Sequence, residues 1–186
     1  MRWELLFGDL EAQWHEANQL DLERHVNELA RVEASQLTLA EALRGSVGQQ
    51  ISLAMCNGTA FHGEVQRVEP QWILLSEDNR SVVLPLAKVS RVQGLGTQRA
   101  RAASKIQYSL AAALRVLARN RSAVVLDLDT AHPASIRGVL DQVGADYVQL
   151  MQLADGVSRD RGNRQGNVVV PLGSLVSIVS AADNEF

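Results

Sequence analysis

Two stretches of the chain follow one pattern of residue types. His62 to Leu75, HGEVQRVEPQWILL, is matched position by position by Arg137 to Leu150, RGVLDQVGADYVQL, at a constant offset of 75 that carries Gly63 onto Gly138. From Val168 onward the offset is 86, carrying Pro85 onto Pro171, so the second copy holds 11 additional residues in one connection. A repeat of this length confines the chain to folds made of two copies of one supersecondary unit.

Each copy reads as a series of short strands. Ile51 and Leu53 alternate with small or polar neighbours, and Asn57-Gly58 is a strong hairpin signal. Phe61, Val65 and Val68 open a long, bent second strand; Ile73 and Leu75 carry the third. After the turn SEDNRS come Val82, Leu84 and Leu86, then Pro85 and its successors lead into a last short strand with Val89 and Val92. Proline suits that place because it cannot donate to a ladder. VVLDLDT, SIRGVLDQV, DYVQLMQL and NVVVPLGSLVSIV repeat the order in the second copy, and the additional residues fall within DGVSRDRGNRQGN, a polar, glycine-rich segment expected to be a mobile hairpin loop. Positions apolar in both copies define the expected core: Ile51/Leu126, Leu53/Leu128, Phe61/Ile136, Val65/Leu140, Val68/Val143, Ile73/Val148, Leu75/Leu150, Leu84/Val170, Leu86/Leu172, Val89/Leu175 and Val92/Ile178. Gly63 and Gly138 sit inside the second strand, where glycine allows a bend or a close backbone approach as a small barrel closes. Trp72 and Tyr147 correspond, and strand alternation sets them opposite Ile73 and Val148. They are expected to be less than fully buried, either packed under a helix or between the barrels, or free as contact aromatics that stack on a base.

Helices precede the strands. Trp3, Phe7, Leu10, Trp14 and Ala17, continued by Leu22, Val26 and Leu29, describe a long amphipathic helix over residues 3–33 with no interrupting proline. Its apolar stripe requires a cover, either the barrels or the same helix of a second subunit, and its acidic polar face argues against a membrane surface. Thr38 to Glu41, TLAE, is a capping box that opens a short helix ended by Gly45. Ile106, Leu110, Leu114 and Leu117 place a counterpart helix over residues 104–119.

Composition sets further bounds. Apolar content of 46% and charged content of 21% are those of ordinary globular proteins, and no apolar run reaches the roughly 20 residues needed to span a bilayer. Glu4, Asp9 and Glu11 interrupt the apolar segment a signal peptide would need, so a cytoplasmic location is expected. Cys56 is the single cysteine, which excludes an intrachain disulfide or a thiolate cluster and reads as a small buried hydrophobe. The net charge of −3 conceals an asymmetry: residues 1–33 carry eight acids against Arg2, Arg24 and Arg31, while residues 94–124 carry six cations and no acid. The latter segment fits phosphate or an acidic protein surface, the N-terminal segment included.

A helix followed by five short strands, with glycine in a bent second strand and a tight turn before the last, resembles the Sm-like fold, a small SH3-like barrel. The resemblance covers residues 38–95 and 104–181. The whole chain is also similar to a family from high-GC Gram-positive bacteria often labelled Fis-family transcriptional regulators, although no helix-turn-helix pattern precedes Phe186. The Sm resemblance implies RNA binding through an Asp and Asn in a first motif and an Arg-Gly in a second. Here Glu69 and Ile73, then Gly144 and Val148, hold the first positions, and Pro85-Leu86 and Pro171-Leu172 hold the second. The resemblance thus implies the fold and not the uridine pocket. It also implies association through outer strands, within the tandem pair or between chains.

The expected architecture is mainly β with helices: a helical arm (1–36), a first five-stranded Sm-like or SH3-like barrel (37–95), a basic linker (96–103), a helix and second barrel (104–182) and a tail (183–186). No catalytic constellation and no cofactor motif is present. His15, His25, His62 and His132 lack metal-ligand spacing, Gly94-Leu95-Gly96 lacks the context of a dinucleotide fingerprint, and Asp127 and Asp129 read as a solvated face. The function expected is a non-enzymatic binding or regulatory adaptor that meets RNA or DNA phosphates through Arg99, Arg101, Lys105, Arg115, Arg119 and Arg121, with Arg159, Arg161 and Arg164 of the long loop as auxiliaries. The alternative is a protein–protein assembly scaffold without nucleic acid, forming homo-oligomers through the N-terminal helix or the edge strands.

Overall fold

The computed structural model describes residues 19, 22, 24–29, 31, 32, 35–100, 107–132, 134–153 and 164–180. Residues 1–38 and 39–186 are separate compact units. The expected long helix over residues 3–33 lies mostly outside the described residues, and no long N-terminal helix is shown. Those described there are helical, and Leu22, Val26, Leu29 and Val32 are exposed.

In the second unit a short helix, α1 (Leu39–Arg44), begins directly after Thr38, as the capping box requires. Strands β1 (Gln50–Met55), β2 (Ala60–Val68), β3 (Trp72–Glu77), β4 (Arg80–Pro85) and β5 (Val89–Gln93) complete the first copy. Helix α2 (Leu110–Asn120) introduces the second, which comprises β6 (Ala123–Leu128), β7 (Ala134–Val143), β8 (Tyr147–Leu153), β9 (Arg164–Pro171) and β10 (Leu175–Ser180). Ile51, Leu53 and Met55 are buried on β1, with less buried neighbours between them, which is the period-2 pattern read from the sequence. In the β1–β2 turn, Gly58 takes φ 86° and the Asn57 side chain accepts from the Thr59 amide at 3.1 Å. Asp78 and Asn79, with φ 45° and 64°, make a two-residue turn from β3 to β4, a conformation that short polar side chains tolerate.

Both copies bend their second strand at the same place. Register slips between Val65 and Arg67 against β3 and between Leu140 and Gln142 against β8, so Gln66 and Asp141 occupy matching bulges. The glycines earlier on these strands serve close approach. A Cβ on Gly63 would collide with the carbonyl of Ser76, and one on Gly138 with that of Met151.

The expectation of two closed barrels is corrected. All ten strands form one antiparallel sheet in the order β5-β1-β2-β3-β4-β10-β6-β7-β8-β9. Each copy contributes the same internal order, last strand, first, second, third, fourth. Pro85 and the 3-10 turn Leu86–Lys88 carry the chain back so that β5 pairs with β1, which leaves the far edge of β4 for β10. Ile178 pairs with Val83 and Val179 with Val82. Among the described residues, β5 and β9 end the sheet without a paired neighbour.

Two apolar cores lie on this sheet, and each borrows from the other copy. Val176 of β10 is buried in the core of Leu43, Leu53, Ile73 and Leu84, while Trp72 and Val83 are buried with Leu114, Leu126, Leu150 and Ile178. The seam is therefore packed from both sides as well as hydrogen bonded.

Three further expectations change. The helix predicted over 104–119 starts at Leu110, because Ser109 is extended and its hydroxyl accepts from the Ala112 amide at 3.2 Å, an N-cap. Part of the presumed long loop is strand: β9 begins at Arg164, where polar residues continue the backbone ladder with β8, and residues 154–163 lie outside the described residues. Cys56 is exposed in the β1–β2 turn, its amide donating to the Lys88 carbonyl, because the tight Asn57-Gly58 turn sets it beyond the end of β1.

Candidate functional site

Four of the nine predicted phosphate contacts have described side chains, and two of these bond to backbone. The guanidinium of Arg99 donates to the carbonyls of Gly96 at 2.6 Å and Gln98 at 2.9 Å, within its own loop. Arg115 donates to the Gly144 carbonyl at 2.9 Å. Arg119 lies one turn beyond Arg115 on α2, and Arg121 ends that helix in a left-handed conformation, φ 50°. Arg101, Lys105, Arg159 and Arg161 lie outside the described residues, as does the side chain of Arg164. The expected linker is tied down at its start, since Ala100 donates its amide to the Glu41 carbonyl at 3.2 Å and accepts from Arg44 at 3.3 Å.

Trp72 is more deeply buried than expected, at 5% exposed, and of the expected alternatives it takes the place under a helix. Alternation does place it opposite Ile73, but that second face is covered by α2 and the second core. Its indole Nε1 donates to the Tyr108 carbonyl at 2.9 Å, while the Tyr108 amide donates to Glu69 at 3.2 Å. Glu69, 7% exposed, also accepts from Arg67, whose Nη2 lies 2.8 Å away and whose guanidinium rests 4.8 Å from the Tyr108 ring centre. Both backbone groups of Tyr108 are thus held by the first copy just before α2 begins. Glu69, at a position where the Sm resemblance implied nucleotide recognition, clamps the second copy onto the first.

The matching residues of the second copy do not form such a clamp. Gly144 stands for Glu69 and Tyr147 for Trp72, and the half-buried Tyr147 ring fills the space a side chain on Gly144 would need. The predicted contact aromatics are therefore unequal, one a buried fastener and the other partly open.

Two recesses flank the seam. One, of about 430 Å³, has Trp72, Leu74 and Val83 opposite Val116 and Leu117 of α2, with Arg67 and Tyr108 at its rim. The other, of about 610 Å³, lies where the turns at Leu86 and Gly173 meet the start of α2. The cation lining the second, Lys88, pairs with Asp129 at 2.6 Å. Asp127 accepts from Ser135 and from Ser177, which is fully buried, so Asp127 is not merely solvated, while Asp129 is exposed as a solvated face predicts. Among the described residues no group of His, Cys, Asp or Glu is placed to hold a metal ion, and no helix is long and apolar enough to cross a membrane.

The sheet edges differ sharply between copies. Val83, inside the seam, is 6% exposed; its counterpart Val169 on β9 is 58% exposed. Pro85 is buried, and Pro171 is exposed. Sequence reasoning missed this contrast, although both strands carry the signal, the uninterrupted apolar runs of SVVLP and NVVVP. A strand covered on one face alternates; one covered on both reads as continuous apolar residues. Comparison with family models, with curated proteins and with solved structures finds no match to this chain.

Proposed function

We propose that this protein is a non-enzymatic cytoplasmic assembly scaffold built from two tandem, five-stranded Sm-like (SH3-like) units, which joins other protein chains through the open edges of its sheet. One observation carries the reading: the same strand is sealed at the β4–β10 seam and, among the described residues, has no paired neighbour on the outer side of β9, where Val169 is 58% exposed. An edge with unpaired backbone groups and an exposed β-branched side chain is a template for strand addition. Determining mass in solution over a range of protein concentrations, with and without RNA, tests it. Scaffolding predicts a mass that grows with protein concentration and ignores RNA. A chain that stays monomeric and responds to RNA alone contradicts it.

Nucleic-acid binding is the second reading, favoured by one feature. Helix α2, LAAALRVLARN, exposes Arg115 and Arg119 a turn apart and contains no acid. Labelled single-stranded RNA and duplex DNA, titrated across a salt series against wild type and Arg115→Ala/Arg119→Ala, separate the two readings. Phosphate binding predicts a log–log salt slope shallower by about 2 in the double variant. Equal slopes, or no binding at low salt, leave the scaffold reading.

A further inference from the structure

Apart from the sheet edges, we propose that the recess of about 430 Å³ between the seam and α2 binds a small amphipathic carboxylate, its apolar body under the helix and its charge on Arg67. The floor is a row of residues directly opposite one another on three neighbouring strands, Arg67 on β2, Leu74 on β3 and Val83 on β4, and so on one face of the sheet. With strands about 4.8 Å apart, the row runs about 10 Å from the cation to the valine. Val116 and Leu117 of α2 stand against it, and Val116 and Tyr108 remain exposed. A concave and mostly apolar cleft of about 300–1,000 Å³ with a few convergent polar groups is the form that small-molecule sites take. The floor strands are hydrogen bonded on both sides, so an extended peptide finds no ladder to join there.

Arg67 is set to receive an anion. Glu69 accepts from its Nε at 2.9 Å and lies 2.8 Å from its Nη2, and the guanidinium rests 4.8 Å from the Tyr108 ring centre, so its plane is held while half the side chain stays exposed. Among the described residues its Nη1 has no hydrogen-bond partner. A guanidinium offers five donors in a rigid fork, and a second carboxylate takes the edge that Glu69 leaves. The opposite wall adds no repulsion, since α2 carries Arg115 and Arg119 and no acid. The repeat supplies the control. In the second copy the same row, in the same register, reads Gln142, Gln149 and Val169, with neither the cation nor the leucine. The strand order common to both copies therefore requires neither Arg67 nor Leu74, and the two occur together only where a recess lies above them.

Octanoate and its neutral counterpart octanol, titrated separately into the full chain by calorimetry, test the assignment. Wild type should bind octanoate at least about tenfold more tightly than octanol, the factor expected of one charge-assisted hydrogen bond. Arg67→Gln, which gives the row the residue type that the second copy holds, should abolish that preference and leave octanol affinity unchanged, with circular dichroism and melting verifying the fold. Should Arg67→Gln fail to fold for want of the Glu69 partner, Val116→Asp decides, because that side chain is exposed on α2 and its loss leaves the cores intact. A carboxylate in the wall should weaken octanoate by at least about tenfold and octanol by less. Equal affinities for the two probes in wild type, or a preference for octanoate that either folded variant leaves intact, overturn the anionic class of ligand. No binding of either probe overturns the site itself.

Discussion

Trp72→Ala and Tyr147→Ala are the same experiment at matching positions of the two copies, and they should differ by a large factor. Trp72 is 5% exposed, packs with the second core and donates its Nε1 proton to the Tyr108 carbonyl at 2.9 Å. Truncating a buried tryptophan costs about 3–5 kcal/mol, and the lost hydrogen bond about 1 kcal/mol more at most, since Tyr108 is exposed enough for water to replace it. Taken together the expected cost is about 4 kcal/mol. Tyr147 is half buried over Gly144, and its removal forfeits part of the burial of one aromatic ring, about 1–1.5 kcal/mol. Urea unfolding followed by far-UV circular dichroism measures both, with linear extrapolation to water. Because Trp72 sits on the first copy's strand and in the second copy's core, its loss should lower a single transition rather than split it. In thermal unfolding this corresponds to roughly 8–16 °C for a chain of this size. Equal costs for the two variants would refute the seam argument, as would a biphasic curve in which the second copy unfolds where it does in wild type.

The matching glycines give a second pair. Gly63→Ala and Gly138→Ala each drive a methyl group into a carbonyl of the neighbouring strand, and each should cost about 2–3 kcal/mol by chemical denaturation, with neither copy spared. Val83→Asp puts a charge into the seam and should unfold the chain at 25 °C, whereas Val169→Asp, at a 58% exposed position, should stay within about 0.5 kcal/mol of wild type. Lys88→Ala removes the ion pair to Asp129, but that aspartate side chain is 46% exposed, so less than about 1 kcal/mol should be lost, and less still at high salt.

Where side-chain pattern decides structure, the sequence was legible. Alternation placed β1 and β2, the Asn57-Gly58 turn joined them, and the repeat assigned the same order to β6 through β10. Two kinds of feature escaped. Bulges at Gln66 and Asp141 leave no residue signature, because any side chain can occupy the unpaired position. Pairing of β4 with β10 is a backbone contact between sheet edges, and pattern within one copy cannot report which edge the other copy will take. A trace of it was nevertheless present. Trp72, Ile73, Leu74 and Leu75 form an unbroken apolar run where the second copy reads Tyr147, Val148, Gln149 and Leu150, and that difference marks β3 as covered on both faces and β8 as covered on one. Alternation set Trp72 opposite Ile73 but left open whether a helix, the other copy or a ligand covers that face. Of the candidate site, the basic residues were visible as a charge cluster, but the role of Glu69 was not, since its partner Tyr108 lies 39 residues away and offers only backbone.

Amide hydrogen exchange at the two corresponding strands, followed as protein concentration rises, bears most directly on the central claim that one seam is closed inside the chain and its equivalent is open at the ends. Val82 to Leu84 on β4 should be strongly protected at every concentration. Val168 to Val170 on β9 should exchange faster in dilute solution and slow as the protein is concentrated. Equal, concentration-independent protection of β4 and β9 would contradict it.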